Sequence, residues 1–548
     1  MSHRDERNQI PKPPCQQRFS VARLHAVLWR GDDNLLKQVL TFGLAAAGIW
    51  KGTLGEGGQS YVAAALVLPF LLFGAIAGQL ADRYSKQLVT VRVKQAEFLI
   101  VLTAFVGFYF NNVWLSLLAM FLLGTQSAFF GPAKYGVIPE LVGESKISMA
   151  NAVINMLTNM GAIFAVIVGG TLYETYRGPE GVTEPQGMLW LPGLAMLVVA
   201  VLGLFASLQM PKLEPSAKNL EVKWEFFAPY VRTIRKMLAG ETPIFVVCLL
   251  KAGFYMLAYM IILILADYTV VLGLPEAKVS FYLFGTIGVS IAVGSILAGV
   301  VSRGGIQPKL VPVGAIGLLV TSLLLAWAPS SYVVIHRADS AKAEQGLAAM
   351  PQGATVSHYL TRAEDRLKEL RSDFKFKRES ITLQERLKRV KDGEVDAMVI
   401  STAYLETFEN KKIKTESGDE NATAEYYELQ EGGEASGLVA TPVTVRDRDF
   451  YRVVIYLFLV GVFAGMYVIP LQSLIQKLSP ADSRGQYIAA SNAIDSVLEL
   501  SGIGLFFLFR NLGVGSQEIF FLTAGVALLT TILFYWKIRA HIHKPEWH

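Results

Sequence analysis

The chain has 548 residues, 52% of them hydrophobic and 17% charged, with a formal net charge of +5. Soluble domains carry a charged fraction of about a quarter, so this composition excludes an ordinary water-soluble protein and places the chain in a membrane. The modest charge gives no reason to expect nucleic acid, and two cysteines, Cys15 and Cys248, provide neither a disulfide framework nor a metal-ligand spacing.

Residues 1–20 are polar and basic, with Pro11, Pro13 and Pro14, and lack the apolar core of a cleavable signal peptide. This stretch reads as a cytoplasmic N-terminal tail. Apolar blocks then follow near 21–48, 60–80, 90–110, 113–133, 147–172, 188–209, 244–268, 279–301, 309–328, 450–475, 486–510 and 516–537. Each approaches the roughly 20 residues that cross about 30 Å of hydrocarbon as a helix. The expectation is an all-α membrane protein of twelve spans. The loop at 210–243 divides it into an N-terminal six-helix bundle, 21–209, and a C-terminal one, 244–329 with 450–537.

The connections at 81–94, 210–243 and 302–309 and the tail at 538–548 are rich in Lys and Arg, whereas 49–59, 111–112 and 269–278 are nearly free of them. The positive-inside rule therefore places both termini and the middle loop in the cytoplasm. The halves also echo each other. "GPAKYGVIPELVGESKISMANAVINM" after the fourth block parallels "IPLQSLIQKLSPADSRGQYIAASNAIDS" after the tenth. A parallel 6+6 pseudo-repeat is an architecture of carriers whose site lies between two rocking bundles.

Residues 330–449 break the pattern: they are charged, lack a spanning segment and fall on the external side of this topology. "TRAEDRLKELRSDF" and "TLQERLKRVKDGEVDAMVIS" read as amphipathic helices, the second stopped at Gly393 and followed by a strand at 395–401. A small α/β extramembrane insert between the ninth and tenth spans is expected, periplasmic in a bacterial cell. The stretch "ETFENKKIKTESGDENATAEYYELQEGGEASG" reads as a loop or hairpin.

Charges inside the spans are costly and face a partner or an aqueous cavity. In "AVLWRGDDNLLKQVLTF" the residues Arg30, Asp33, Asn34 and Lys37 are three and four apart and form one polar stripe, with Asp32 to one side. They are candidates for substrate binding, or for internal pairs that brace the first helix. Lys251 in "VVCLLKAGFYMLAYM" and Glu499 in "DSVLELSGIG" are the corresponding candidates in the second half, with a snorkelling lysine and a simple ion pair as the alternatives.

"GQLADRYSK", directly after the second span, offers Gly78 for close helix approach, Asp82 to meet a helix N-terminus, and Arg83 and Lys86 for charge-assisted bonds. It resembles the signature loop of the major facilitator superfamily, which implies a twelve-span facilitator fold and a cytoplasmic gate at these residues. "AGVVSRGG" at 298–305 is its degenerate counterpart, lacking the Asp.

A narrower resemblance follows. "DDNLLKQ" at 32–38, "GPAKYGVIPEL" at 131–141, "SMANAVINMLT", "RGQYIAASNAID" and "GQLADRYSKQLVTVRVKQAEF", which extends the expected gate to Lys94 and Glu97, are similar to the bacterial lysophospholipid transporter family, also found fused to acyltransferases. That resemblance implies a flippase of the bacterial inner membrane that moves lysophospholipid, foremost lysophosphatidylethanolamine. Membrane lipids and a separate acyltransferase are then the implied partners. Arg30, Lys37 and Lys251 would meet the phosphate and Asp32 or Asp33 the ammonium, with Lys134 at the cytoplasmic mouth. Here Arg30 and Gly31 replace the family's Ala-Phe, and Asp32 its first Asn.

No paired carboxylates with a His, no phosphate-cradling loop and no nucleotide-binding motif are present in the sequence, so a carrier with no cofactor or metal is expected rather than an enzyme. The rivals are a proton-coupled facilitator of another amphiphile or drug, and a membrane-anchored sensor that uses the 330–449 insert.

Overall fold

The computed structural model describes residues 31–46, 48–51, 53–142, 147–179, 184–210, 222–240, 243–302, 306–337, 350–358, 364, 367–368, 370–378, 383–401, 438–443, 446–480 and 484–538. Its first six long helices are α1 (Gly31–Leu44), α2 (Gln59–Arg83), α3 (Lys86–Tyr109), α4 (Val113–Val142), α5 (Ile147–Arg177) and α6 (Leu191–Leu208). A shorter helix, α7 (Ala228–Ala239), precedes α8 (Ile244–Ala266), α9 (Glu276–Val301), α10 (Leu310–Ala326), α11 (Leu383–Asp392), α12 (Asp447–Leu478), α13 (Arg484–Asn511) and α14 (Ile519–Lys537).

Eight of these, α2, α4, α6, α8, α9, α12, α13 and α14, are long and apolar enough to cross a membrane, and α10 is a shorter apolar helix. The other blocks expected to span coincide with α1, α3 and α5. In α3 the buried face carries Lys86, Lys94 and Glu97, which lowers its hydropathy where the polar chemistry sits.

The helices sort into two groups. Within the first, α2 packs on α4, α4 on α3, α3 on α6 and α1 on α5; within the second, α9 and α10 pack on α12, α13 on α8 and α14 on α10. Lipid supplies no hydrophobic drive between helices, so close packing of small residues sets these contacts. A Cβ on Gly294 of α9 would stand 2.1 Å from the Val462 carbonyl oxygen of α12, and one on Gly465 of α12 would be 2.5 Å from the Ser295 nitrogen of α9. The two backbones touch because neither residue has a side chain.

The groups meet along α2 with α13 and α5 with α9. At one end Tyr61 and Phe507 lie edge to face with centroids 5.3 Å apart. Near the other end lies α7, inside the stretch expected to be only a loop. Its buried residues Tyr230, Thr233 and Met237 follow helical spacing, while Arg232, Arg235 and Lys236 are exposed. The same charges that mark the segment as cytoplasm-facing conceal its amphipathic period.

Between α10 and α12 the chain forms a five-stranded sheet of β1 (Tyr332–Arg337), β2 (Thr355–His358), β3 (Lys375–Arg378), β4 (Ala397–Ser401) and β5 (Leu438–Val443), in the order β3-β2-β4-β1-β5. β2 runs parallel to β3 and β4, and β1 antiparallel to β4 and β5. The helix α11 makes the crossover that parallel strands require and ends at Gly393, whose φ of 79° suits glycine. A helix stands at Leu383–Asp392 and a strand at Ala397–Ser401, whereas the helix read over "TRAEDRLKELRSDF" in large part, and the loop read over "ETFENKKIKTESGDENATAEYYELQEGGEASG", lie outside the described residues.

Candidate functional site

Two polar clusters lie well inside the helix groups. The first is built on α1, α3 and α4. Lys94 is fully buried and its Nζ lies 2.6 and 2.7 Å from the two carboxylate oxygens of Glu97, one turn along the same helix. Glu97 also accepts a 2.6 Å hydrogen bond from Gln126 of α4. The Ser127 hydroxyl is 3.2 Å from Gln126 Oε1 and 2.5 Å from Asp33 Oδ2 of α1. Asp33 is thereby joined to Lys94 by an unbroken chain of side-chain contacts across three helices. Gly203 of α6 leaves room for the lysine, since a Cβ there would sit 3.2 Å from Nζ.

The second cluster is built on α8 and α13. Lys251 pairs with Asp495 at 2.8 Å, both being buried, and is 3.4 Å from Asn492 Oδ1. Its ammonium also stands 6.0 Å from the Tyr255 ring centroid. Glu499, half-buried, follows Asp495 by four residues on the same helix. Lys251 is therefore an ion-paired group within its bundle, and its direct partner is Asp495 rather than Glu499.

The candidates taken from the sequence divide accordingly. Asp32, Asp33, Lys94 and Glu97 come together in the first cluster, although Lys94 and Glu97 were expected at the gate; they lie in the interior because their motif runs on into α3. Asn34 and Lys37 are half-buried on the Asp33 side of α1, whereas Asp32 is fully buried on another side. Arg30, and the side chains of Asp82 and Lys134, lie outside the described residues. At the expected gate Arg83 stacks 5.6 Å from the Tyr84 ring centroid and Lys86 is buried at the start of α3. Gly78, expected to permit close helix approach, has no atom within 4 Å of where a Cβ would stand. It borders open space in this conformation.

Sequence reading missed Gln126, Ser127, Asn492 and Asp495. Adjacent polar residues in the apolar run "LLGTQSAFF", and the four-residue spacing of the acids in "AIDSVLEL", are the available signals.

A third group, also missed, closes one end of the molecule. Asp267, fully buried after α8, accepts hydrogen bonds from the Ala46 amide at 3.0 Å, from Gln59 Nε2 at 3.0 Å and from the Ser516 hydroxyl. Arg510 of α13 lies 3.6 Å from Asp267 and 3.4 Å from Glu56. Alongside, Arg177 of α5 pairs with Glu276 of α9, and the Ala277 amide donates to Glu174 at 2.7 Å. These contacts join residues 46–59 and 174–177 of the first half to 267–277 and 510–516 of the second.

Two helix groups joined at one end, with a buried charge cluster in each, describe a carrier architecture, and the comparisons point to a family of carriers. The sequence model described as Major Facilitator Superfamily matches residues 35–359. A Bacillus subtilis protein named as an uncharacterized MFS-type transporter, YfiS, is 27% identical over 118 residues, 22% of this chain and 28% of that one. The lysophospholipid transporter LplT of Photorhabdus laumondii is 26% identical over 161 residues, 29% of this chain and 35% of that one. The chain thus matches about a third of the length of either relative. Among solved structures, a bacterial homologue of the iron transporter ferroportin in an inward-facing state superposes with a TM-score of 0.53 at 15% identity, covering 95% of this chain and 98% of that one. With the family model matching more than half of its residues, the chain belongs to the major facilitator superfamily, as a secondary transporter.

Proposed function

We propose that the protein moves lysophospholipid, foremost lysophosphatidylethanolamine, across the bacterial inner membrane by alternating access. The observation that carries this reading is the Asp33–Ser127 contact on a stripe that also bears Asn34 and Lys37, opposite in sequence half to Lys251 and Asp495. A zwitterionic headgroup needs both signs of charge, and its single acyl chain can rest against apolar helix surface. The similarity to LplT and the "GPAKYG" phrase support the same substrate class.

In this reading twelve spans place both termini in the cytoplasm and the 330–449 insert in the periplasm. The Asp267 and Glu276 contacts then lie at the external end, so the conformation is open to the cytoplasm and "GQLADRYSK" is a released gate. The open space around Gly78 supports that assignment.

The test is uptake of labelled lysophosphatidylethanolamine into proteoliposomes by the wild type and Asp33→Asn. Uptake that falls at least tenfold in a folded Asp33→Asn protein is the expected result. A fully active mutant removes Asp33 from the headgroup site, and no uptake by folded wild type turns the assignment to another amphiphile.

A further inference from the structure

The segment 222–240, which joins the two helix groups, has no part in the transport reading, yet it is fastened to both of them. The Lys223 amide donates to Gln79 Oε1 at 2.8 Å, and the Lys223 carbonyl accepts from Gln79 Nε2 at 3.2 Å. Phe226 then meets Phe73 of α2 edge to face, with centroids 6.2 Å apart, and α7 packs on α13 of the second group. Gln79 stands two residues before the end of the apolar span Gln59–Ala81. The fastening therefore sets Lys223 and Trp224 at the level where α2 leaves the hydrocarbon.

The segment carries more apolar surface than the bundle takes. Tyr230, Thr233 and Met237, three and four apart, are the buried face of α7. Val231 and Leu238 are seven residues apart and so share another flank, where they are 44% and 61% exposed. Ahead of the helix, Trp224 is 70% and Phe227 49% exposed. The outward face is basic. Arg232, Arg235 and Lys236 are exposed, and with Lys223 they make four bases against one acid, Glu225, over 222–240. That acid is held by Arg232 at 2.6 Å, while Arg235 and Lys236 have no ion-pair partner among the described residues. An aromatic and aliphatic flank beside a basic face, at the end of a span, is the composition of a helix that lies in the headgroup layer.

The charge selects the lipid. A zwitterionic surface offers each base an ammonium beside every phosphate, whereas an anionic headgroup offers the phosphate without it. We propose that α7 and the residues leading into it form a binding surface for anionic phospholipid. Trp224, Phe227, Val231 and Leu238 rest on the upper part of the acyl chains, and Arg232, Arg235 and Lys236 meet the phosphates. That the leaflet is the cytoplasmic one rests on the topology of the proposed function; the surface itself is independent of which amphiphile is carried. Because the segment touches α2 in one group and α13 in the other, lipid held there bears on both.

The test uses the full chain with Cys15 and Cys248 replaced and Leu238→Cys carrying a bimane fluorophore, in phosphatidylcholine nanodiscs. Brominated phosphatidylglycerol or brominated phosphatidylcholine is included at equal mole fraction, and quenching is compared. The brominated phosphatidylglycerol is expected to quench at least about twofold more strongly. The preference should vanish in the Arg232→Gln, Arg235→Gln, Lys236→Gln triple variant and shrink in the parent chain as salt is raised. Equal quenching by the two lipids overturns the headgroup choice, and quenching by neither overturns the surface altogether. A preference that survives in the triple variant overturns the assignment to these bases. Should that variant fail to fold, the salt series on the parent decides, and a preference indifferent to salt overturns the proposal. Nanodiscs present the same lipid on both faces, so an inverted topology leaves the result unchanged. Loss of lysophosphatidylethanolamine uptake bears on the carried substrate alone.

Discussion

The cluster around Lys94 and the cluster around Asp267 use the same chemistry, fully buried charge with charge-assisted hydrogen bonds, and differ in which bodies they join. Among the described residues, every partner of Lys94 and Glu97 belongs to the first six helices. Asp267 draws its donors from both halves of the chain. A network inside one bundle persists when the bundles rock. A network between bundles must break in each cycle, so its strength sets a population rather than a stability. Burial alone does not tell the two apart.

Mutations can break this comparison. The largest effect is expected for Lys94→Ala, which strands Glu97 in the interior. Removing one member of a buried pair costs about 3–5 kcal/mol, so the detergent-solubilised protein should lose most of its thermal stability, read as a fall in Tm. A Lys94→Ala protein with unchanged Tm breaks the distinction outright.

Arg510→Ala should act on conformation instead. Losing a hydrogen bond to a charged group is worth about 1.5–3 kcal/mol, and each 1.4 kcal/mol is about tenfold in a population. Leu44, buried at the closed end, is then the reporter. As Leu44→Cys in a chain with Cys15 and Cys248 replaced, it should react with a membrane-impermeant thiol reagent at least about tenfold faster in the Arg510→Ala background, with little change in Tm. Equal labelling rates sink the latch.

Asp495→Asn tests the second cluster, which lies within one bundle as the Lys94 network does. Its expected cost is about 1–3 kcal/mol, smaller than for Lys94 because Asn492 and Glu499 remain near the ammonium. A double-mutant cycle with Lys251→Met measures the coupling, and a coupling near zero removes the pair as a structural element.

The smallest effect lies in the insert. Asp373 accepts from Arg371 Nη2 at 2.6 Å, from Nε at 3.0 Å and from the Gly353 amide at 3.1 Å. The Arg371 guanidinium first, and that amide second, hold its carboxyl at about 2, below the usual 3.8. A depressed acid contributes stability above its unfolded value, and that contribution is lost as pH falls from 3.8 toward about 2. Melting of the full protein should therefore show no contribution from this clip between about pH 7 and about pH 5, and Asp373→Asn should barely move it because the half-buried pair is still screened by solvent. A titration of stability in that window that disappears in Asp373→Asn contradicts the assignment.

The helices were legible because twenty-residue apolar runs leave few alternatives, and the insert's α11 and β4 because helical and strand periods alternate around Gly393. The interior clusters were only half legible. Lys251, Asp33 and Glu499 stand out as charges in apolar text, but pairing depends on helix rotation and on which helices are neighbours. Asp495 was hidden by its place beside the polar opening of α13, and Lys94 was read with the loop that precedes it. The Asp267 latch was least legible, since its members come from short connections separated by more than 200 residues.

The insert enters on β1 and leaves on β5, and these two strands pair antiparallel from Tyr332 with Val443 to Arg337 with Leu438. Its entry and exit are thus held side by side like the legs of a hairpin, roughly 5 Å apart. For the bundle, the paired β1 and β5 amount to a tight turn between α10 and α12. The insert can be exchanged for another domain whose ends are equally close, and it gives a transporter of this size an asymmetric landmark by which single particles could be oriented in images.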